Sequence, residues 1–130
     1  MTLHPRFLLV RVPFPFTDRA VQKRRPALVL SAPEFQQRSG HLLLAMVTTA
    51  RYSSWPLDWP IQDLRGTGLP KDCLVRMKLF SLDERLILSR LGELSRVDRA
   101  GVADHLRHLL PPVDSPIPEP HGCPAPSPRA

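Results

Sequence analysis

The apolar residues of this chain come in short pieces, and that limits what it can fold into. The longest unbroken apolar run, Leu42 to Val47, is six residues, where crossing a bilayer takes about 20 in succession. A transmembrane helix is therefore excluded. Phe7 to Val12, Ala27 to Ser31 and His41 to Thr49 are brief runs rich in Leu, Val and Met, bounded by Pro, Gly and polar residues, the pattern of buried strands. Two of them barely alternate, which predicts sheet faces covered on both sides. Leu74 to Leu79 alternates, with Val75, Met77 and Leu79 on one face and Arg76 and Lys78 on the other, and predicts a half-exposed strand. Arg85 to Leu91 is a further strand, entered through a helical turn announced by Ser81 and, three residues on, Glu84.

One segment has the period of a helix. Arg96 to Leu110 carries Ser95 as N-cap, Asp98 in the first turn, and Ala103, Leu106, Leu109 and Leu110 as an apolar stripe, and Pro111 and Pro112 end it. About five short strands and one terminal helix predict a mainly β fold, a small barrel with the helix packed on it.

Proline separates the two parts of the chain. Of 130 residues 16 are Pro, and half of these lie in the last twenty. Residues 111–130 hold no apolar period and read as a disordered, Pro-rich tail, leaving residues 1–110 as the folded domain. The tail carries Asp114, Glu119 and Arg129, net −1, so the +6 of the whole chain becomes +7 on the body. Such a charge attracts a phosphate backbone. Cys73 and Cys123 are too few and too far apart for a disulfide framework or a zinc site. The N-terminus lacks the pattern of a secretory signal, so the cytoplasm is the expected compartment.

Val12-Pro13-Phe14-Pro15-Phe16-Thr17-Asp18, followed by Lys23-Arg24-Arg25-Pro26-Ala27-Leu28-Val29-Leu30-Ser31, resembles the PemK/MazF-like toxin family. Leu44 to Thr49, Gly68-Leu69 and Leu91-Gly92-Glu93-Leu94-Ser95 match it in order, so the resemblance spans about residues 7 to 110. It implies an SH3-like barrel of the PemK/MazF/CcdB type and a homodimer. It also implies a toxin that cleaves single-stranded RNA at short sequences with no metal or other cofactor, and that is neutralised by an acidic antitoxin. By resemblance Arg25 and Thr48 are the catalytic pair, and Phe16, Asp18, Lys23, Arg24, Thr49 and Arg51 are candidate RNA contacts. The rival on the same fold is a non-catalytic binding protein, such as a gyrase inhibitor like CcdB, which lacks the Lys-Arg-Arg-Pro signature.

The chemistry has its own rationale. When a 2′-hydroxyl attacks phosphorus, negative charge builds on the phosphoryl oxygens, and a site needs fixed donors aimed at it. Arg25 offers a planar fork of donors and Thr48 a hydroxyl on a stiff side chain. With a free pKa above 12, Arg is assigned electrostatic work.

Other residues have plainer readings. Phe14 and Phe16 read as packing residues ahead of base-stacking platforms. Trp55 and Trp59, in the loop Ser53 to Pro60, read either as a substrate-lining lid or as a dimer contact. His105 and His108 are spaced to share a metal, but nothing completes the site and helix-end solvation is the better reading. The chain departs from the family at Phe7-Leu8, where Gly-Asp is common, at Arg19-Ala20-Val21-Gln22, where Gly and Ser are usual, and at Cys73, where Ser is frequent.

Overall fold

Short apolar runs covered on both sides become a curled sheet. The computed structural model describes residues 2–14, 23–49 and 53–113. Its elements are β1 (Leu8–Phe14), β2 (Lys23–Val29), α1 (Pro33–Ser39), β3 (His41–Thr48), β4 (Trp59–Pro60), β5 (Leu74–Asp83), a 3-10 turn (Glu84–Leu86), β6 (Ser89–Glu93) and α2 (Arg96–Leu109). The strands form one antiparallel sheet, ordered β4-β5-β3-β2-β1-β6 and curled into a half-barrel. The fold is mainly β with a C-terminal helix, as the apolar pattern predicts.

Alternate residues of each strand enter different cores. Leu9, Leu28, Ala45, Val47 and Val75 pack together with Val102 of α2. Val10, Val12, Ala27, Val29, Leu42 and Leu44 pack on the other face. That double burial is why β1, β2 and β3 read as nearly continuous apolar runs.

The loop between β4 and β5 meets β6, at one end of the sheet, without a strand ladder. The Glu93 N–H donates to Gly66 O at 2.8 Å, and a Cβ on Gly68 or Gly92 would run into the backbone of the opposite segment. Gly68 also has φ +72°, a conformation that favours glycine. Closure thus depends on bare backbone.

Helix α1, which no apolar period announces, starts with Pro33 at its first turn and stops at Gly40, whose φ is +74°. Its Gln36 is fully buried. The Gln36 Oε1 accepts from His4 N at 2.8 Å, and its Nε2 donates to Thr2 O at 2.7 Å, tying down the N-terminal segment.

Helix α2 begins where predicted, with the Ser95 hydroxyl accepting from Asp98 N. Its buried face is displaced from the predicted stripe. Val102 and Asp98 are fully buried, whereas Leu109 is 36% and Leu110 63% exposed. The sheet edge lies under the first half of the helix, so the last leucines overhang it.

Strand β5 also departs from expectation. It runs to Asp83, and its pairing with β3 jumps from Ala45 opposite Leu79 to Met46 opposite Arg76. This bulge breaks the alternation, and Arg76 is buried instead of exposed. The 3-10 turn is capped by Asp83, which accepts from Arg85 N, and not by Ser81; the next strand starts at Ser89 instead of Arg85. Among the described residues no helix is long and apolar enough to cross a membrane.

Candidate active site

Strand β2 is paired with β1 from Lys23 to Leu28, but with β3 only at Ala27–Met46, Leu28–Ala45 and Val29–Leu44. The next residue, Pro26, has no N–H to give a ladder, and the paired rungs stop beside it. Continuing that register two residues outward brings Arg25 opposite Thr48. Both alternate with Ala27 and Met46, so they share one face of the sheet beyond the last rung.

Arg25 is half-buried. Its guanidinium carbon lies 5.6 Å from the centre of the Phe14 ring, a cation–π distance. Its Nε is buried and has no hydrogen-bond partner among the described residues. Such donors are rare in folded proteins because an unpaired one costs about 1–3 kcal/mol. Thr48, also half-buried, lines an open hollow of about 420 Å³ with Thr49, Ser53, Ser54, Asp58 and Asp72 among its walls.

The basic tripeptide is split by the strand. Lys23 falls on the face of Arg25, opposite Phe14 and exposed, while Arg24 turns to the other face. There Arg24 and Thr49 line a second hollow with Arg11, Pro26, Lys71 and Leu69. Phe16, Asp18 and Arg51, and with them the loop 19–22, lie outside the described residues, as do residues 114–130 and Cys123. Phe14 is half-buried, with the Arg25 guanidinium over its ring. Cys73 is buried, its thiol donating to Lys71 O at 3.3 Å, and burial raises its pKa.

Sequence reasoning misses the groups that hold the wall of the first hollow. Arg76 reaches Asp58 through two hydrogen bonds, Nε to Oδ1 at 3.2 Å and Nη2 to Oδ2 at 3.0 Å, and donates to Ser53 Oγ at 3.1 Å and Ser53 O at 2.9 Å. The Asp58 carboxylate also accepts from Trp55 N at 3.1 Å. This buried fork fixes residues 53–58 beside Thr48. The only signal for it, an Arg in an alternating strand, points outward until the bulge is known.

The Trp loop is divided between two roles. Trp59 is spent inside the fold: its Nε1 donates to Asp98 Oδ1 at 2.9 Å, and its ring lies over Gly101 and stands edge-on to His105 at 5.3 Å. Trp55 remains 41% exposed, with the Lys78 ammonium 4.5 Å from its ring. His105 Nδ1 lies 2.7 Å from Leu57 O, so it has a structural partner in place of helix-end solvation. Burial alone would raise the Asp98 pKa, but donors from Gln62 N, the Trp59 indole, Ser95 and Asp63 N together hold it below the usual carboxylate value.

Comparison with known proteins adds to this geometry. The chain matches the model of the PemK-like, MazF-like toxin of type II toxin-antitoxin systems over residues 6–110. No curated protein matches it in sequence. A crystal structure of MazF from Deinococcus radiodurans is similar at 26% identity and TM-score 0.65, covering 85% of this chain and 98% of that one. A MazE-MazF structure from the same organism aligns at 27% identity and TM-score 0.61, covering 84% and 97%. An endoribonuclease in complex with its cognate antitoxin from a mycobacterial species shares the fold at 16% identity and TM-score 0.65, covering 85% and 95%. With the family matched over most of its length, the chain belongs to the PemK-like, MazF-like toxins of type II toxin-antitoxin systems.

Proposed function

We propose that this toxin is an endoribonuclease that cuts single-stranded RNA at short sequences without a metal, by attack of a 2′-hydroxyl on the adjacent phosphorus. The O2′–P bond forms and the P–O5′ bond breaks. A proton leaves the 2′-oxygen and one arrives at the 5′-oxygen, giving a 2′,3′-cyclic phosphate and a 5′-hydroxyl end. Arg25 supplies the positive charge that the phosphoryl oxygens need as they become more negative, and Thr48 a hydroxyl on the same phosphate. Lys23, Arg24 and Thr49, with Phe16, Asp18 and Arg51 from the family motif and its neighbourhood, bind the RNA on either side.

The observation that carries this reading is the place of Arg25 and Thr48 on one face where the β2–β3 ladder stops, with the Arg25 Nε left without a hydrogen-bond partner among the described residues. The family supports the rest: a cytoplasmic toxin acting as a homodimer, held inactive by an acidic antitoxin lying across the basic surface. Residues 1–110 form the toxin domain and residues 111–130 an appended Pro-rich segment.

The test is cleavage of mixed-sequence RNA in EDTA by the wild type, Arg25→Ala and Thr48→Ala. Losing a fixed donor to developing charge lowers the rate on the order of 10² to 10³-fold, so both variants should fall by that much with their folds intact. Equal cleavage by all three removes the assigned pair. Growth inhibition that survives both substitutions without RNA fragments favours the non-catalytic, gyrase-binding reading. Light scattering at micromolar concentration should give twice the monomer mass; a monomer contradicts the dimer.

A further inference from the structure

Two hollows meet at Thr49, next to Thr48. The larger has the carboxylates Asp58 and Asp72 on its walls. The smaller, about 190 Å³, has three cations, Arg11, Arg24 and Lys71, around a floor that includes Pro26, Leu69 and Leu91. Thr49 and Cys73 line both, so the two hollows adjoin.

Strand register explains how the cations converge. Arg11 sits opposite Pro26 and Arg24 opposite Pro13, which makes Arg11 and Arg24 diagonal neighbours on one face, about 7–8 Å apart at the backbone. Lys71 comes to them from the loop before β5. All three are exposed. Arg65, Arg76, Arg85, Arg99 and Arg107 each face a carboxylate, but among the described residues Arg11, Arg24 and Lys71 have none. Three like charges in one hollow without a counter-charge make a site for an anion. The apolar floor adds a surface for a sugar or a base.

We propose that this cleft seats the RNA backbone next to the cleaved bond, with a phosphodiester held by Arg11, Arg24 and Lys71 and its sugar or base resting on Pro26, Leu69 and Leu91. The proposal rests on the ribonuclease reading and deepens it: the strand crosses the rim from the Arg25–Thr48 face to the opposite one, and Arg11 and Lys71 become binding residues.

The experiment compares the wild type with Arg11→Ala/Lys71→Ala and with a control pair, Arg38→Ala/Arg96→Ala, which removes the same charge from exposed helix positions. Cleavage of mixed-sequence RNA is followed in EDTA, and binding of a 2′-O-methylated single strand that cannot be cut is followed over a range of salt. Each phosphate contact to a single strand contributes about 0.7 to the slope of log affinity against log salt. The cleft variant should raise KM about tenfold or more, keep kcat within about twofold, and flatten the slope by about 0.7, the share of the one phosphate held there. The control should change neither. If both pairs act alike, or the cleft variant keeps wild-type KM and slope while the wild type cuts RNA, the cleft proposal is overturned and the ribonuclease reading stands. If the wild type binds but never cuts, and binding still depends on Arg11 and Lys71, the ribonuclease reading fails and the cleft remains. Thermal unfolding of each variant checks that the fold is kept.

Discussion

Arg25 and Asp98 are both charged and both drawn into the fold, and their surroundings treat them oppositely. Asp98 is fully buried, and its two oxygens take donors from Trp59, Gln62, Asp63 and Ser95. Arg25 keeps a buried donor that has no partner among the described residues. The first arrangement is structural, because a carboxylate saturated by fixed donors welds the start of α2 to the segment after β4. Asp98→Asn should therefore lower stability by about 2 kcal/mol, read by urea denaturation, since one acceptor becomes a donor facing other donors. RNA cleavage per folded molecule should not change. Arg25 was legible in the sequence because it stands in a dense motif with Pro26 beside it. Asp98 was legible only as a first-turn acid, because its partners come from residues up to 39 positions away.

At the scale of elements, what the sequence concealed is where local period and tertiary contact disagree. Helix α1 has seven residues, too few to display an apolar stripe, and its only marks are Pro33 and Gly40. The β5 bulge reverses the apparent face of Arg76. The Arg76–Asp58 pair is mostly buried, with side-chain exposures of 10% and 16%, so Arg76→Ala leaves Asp58 buried without its partner and should cost about 3–5 kcal/mol in denaturation. Gly101 makes a sharper case. In an open helix Gly→Ala stabilises by about 1 kcal/mol, but here the new methyl would collide with the Trp59 ring, which is held by its bond to Asp98. Gly101→Ala should destabilise by about 1–3 kcal/mol. A higher melting temperature for this variant would mean that the ring does not lie on the helix.

The whole molecule combines a basic body with an acid-sensitive scaffold. Burial lowers the His4 pKa from its ordinary 6.5, and Arg90 lowers it further against a smaller opposing effect of Glu84. A histidine that is harder to protonate when folded leaves the unfolded chain binding more protons below about pH 6.5, so stability declines as acid is added through that range. Asp98, held below the carboxylate norm, contributes stability that is present above about pH 4 and is lost as pH falls through its lowered value. Denaturation midpoints should thus fall in two stages, and His4→Gln should remove the first. The sheet class, the terminal helix and the motif face were readable from the sequence because each depends on local pattern. The glycine seam between residues 66–68 and 91–92 was not, because it exists only once the sheet has curled.

The central claim is a chemical one, that the 2′-hydroxyl of the RNA is the nucleophile and that Arg25 and Thr48 serve it. Mass spectrometry of fragments made in EDTA, from a single strand and from the same strand carrying 2′-deoxy nucleotides, tests it most directly. The account predicts 2′,3′-cyclic phosphate ends opposite 5′-hydroxyl ends from the first strand, and no cut at any deoxy position in the second. Cleavage at deoxy positions, or 5′-phosphate ends in fragments from either strand, would contradict it.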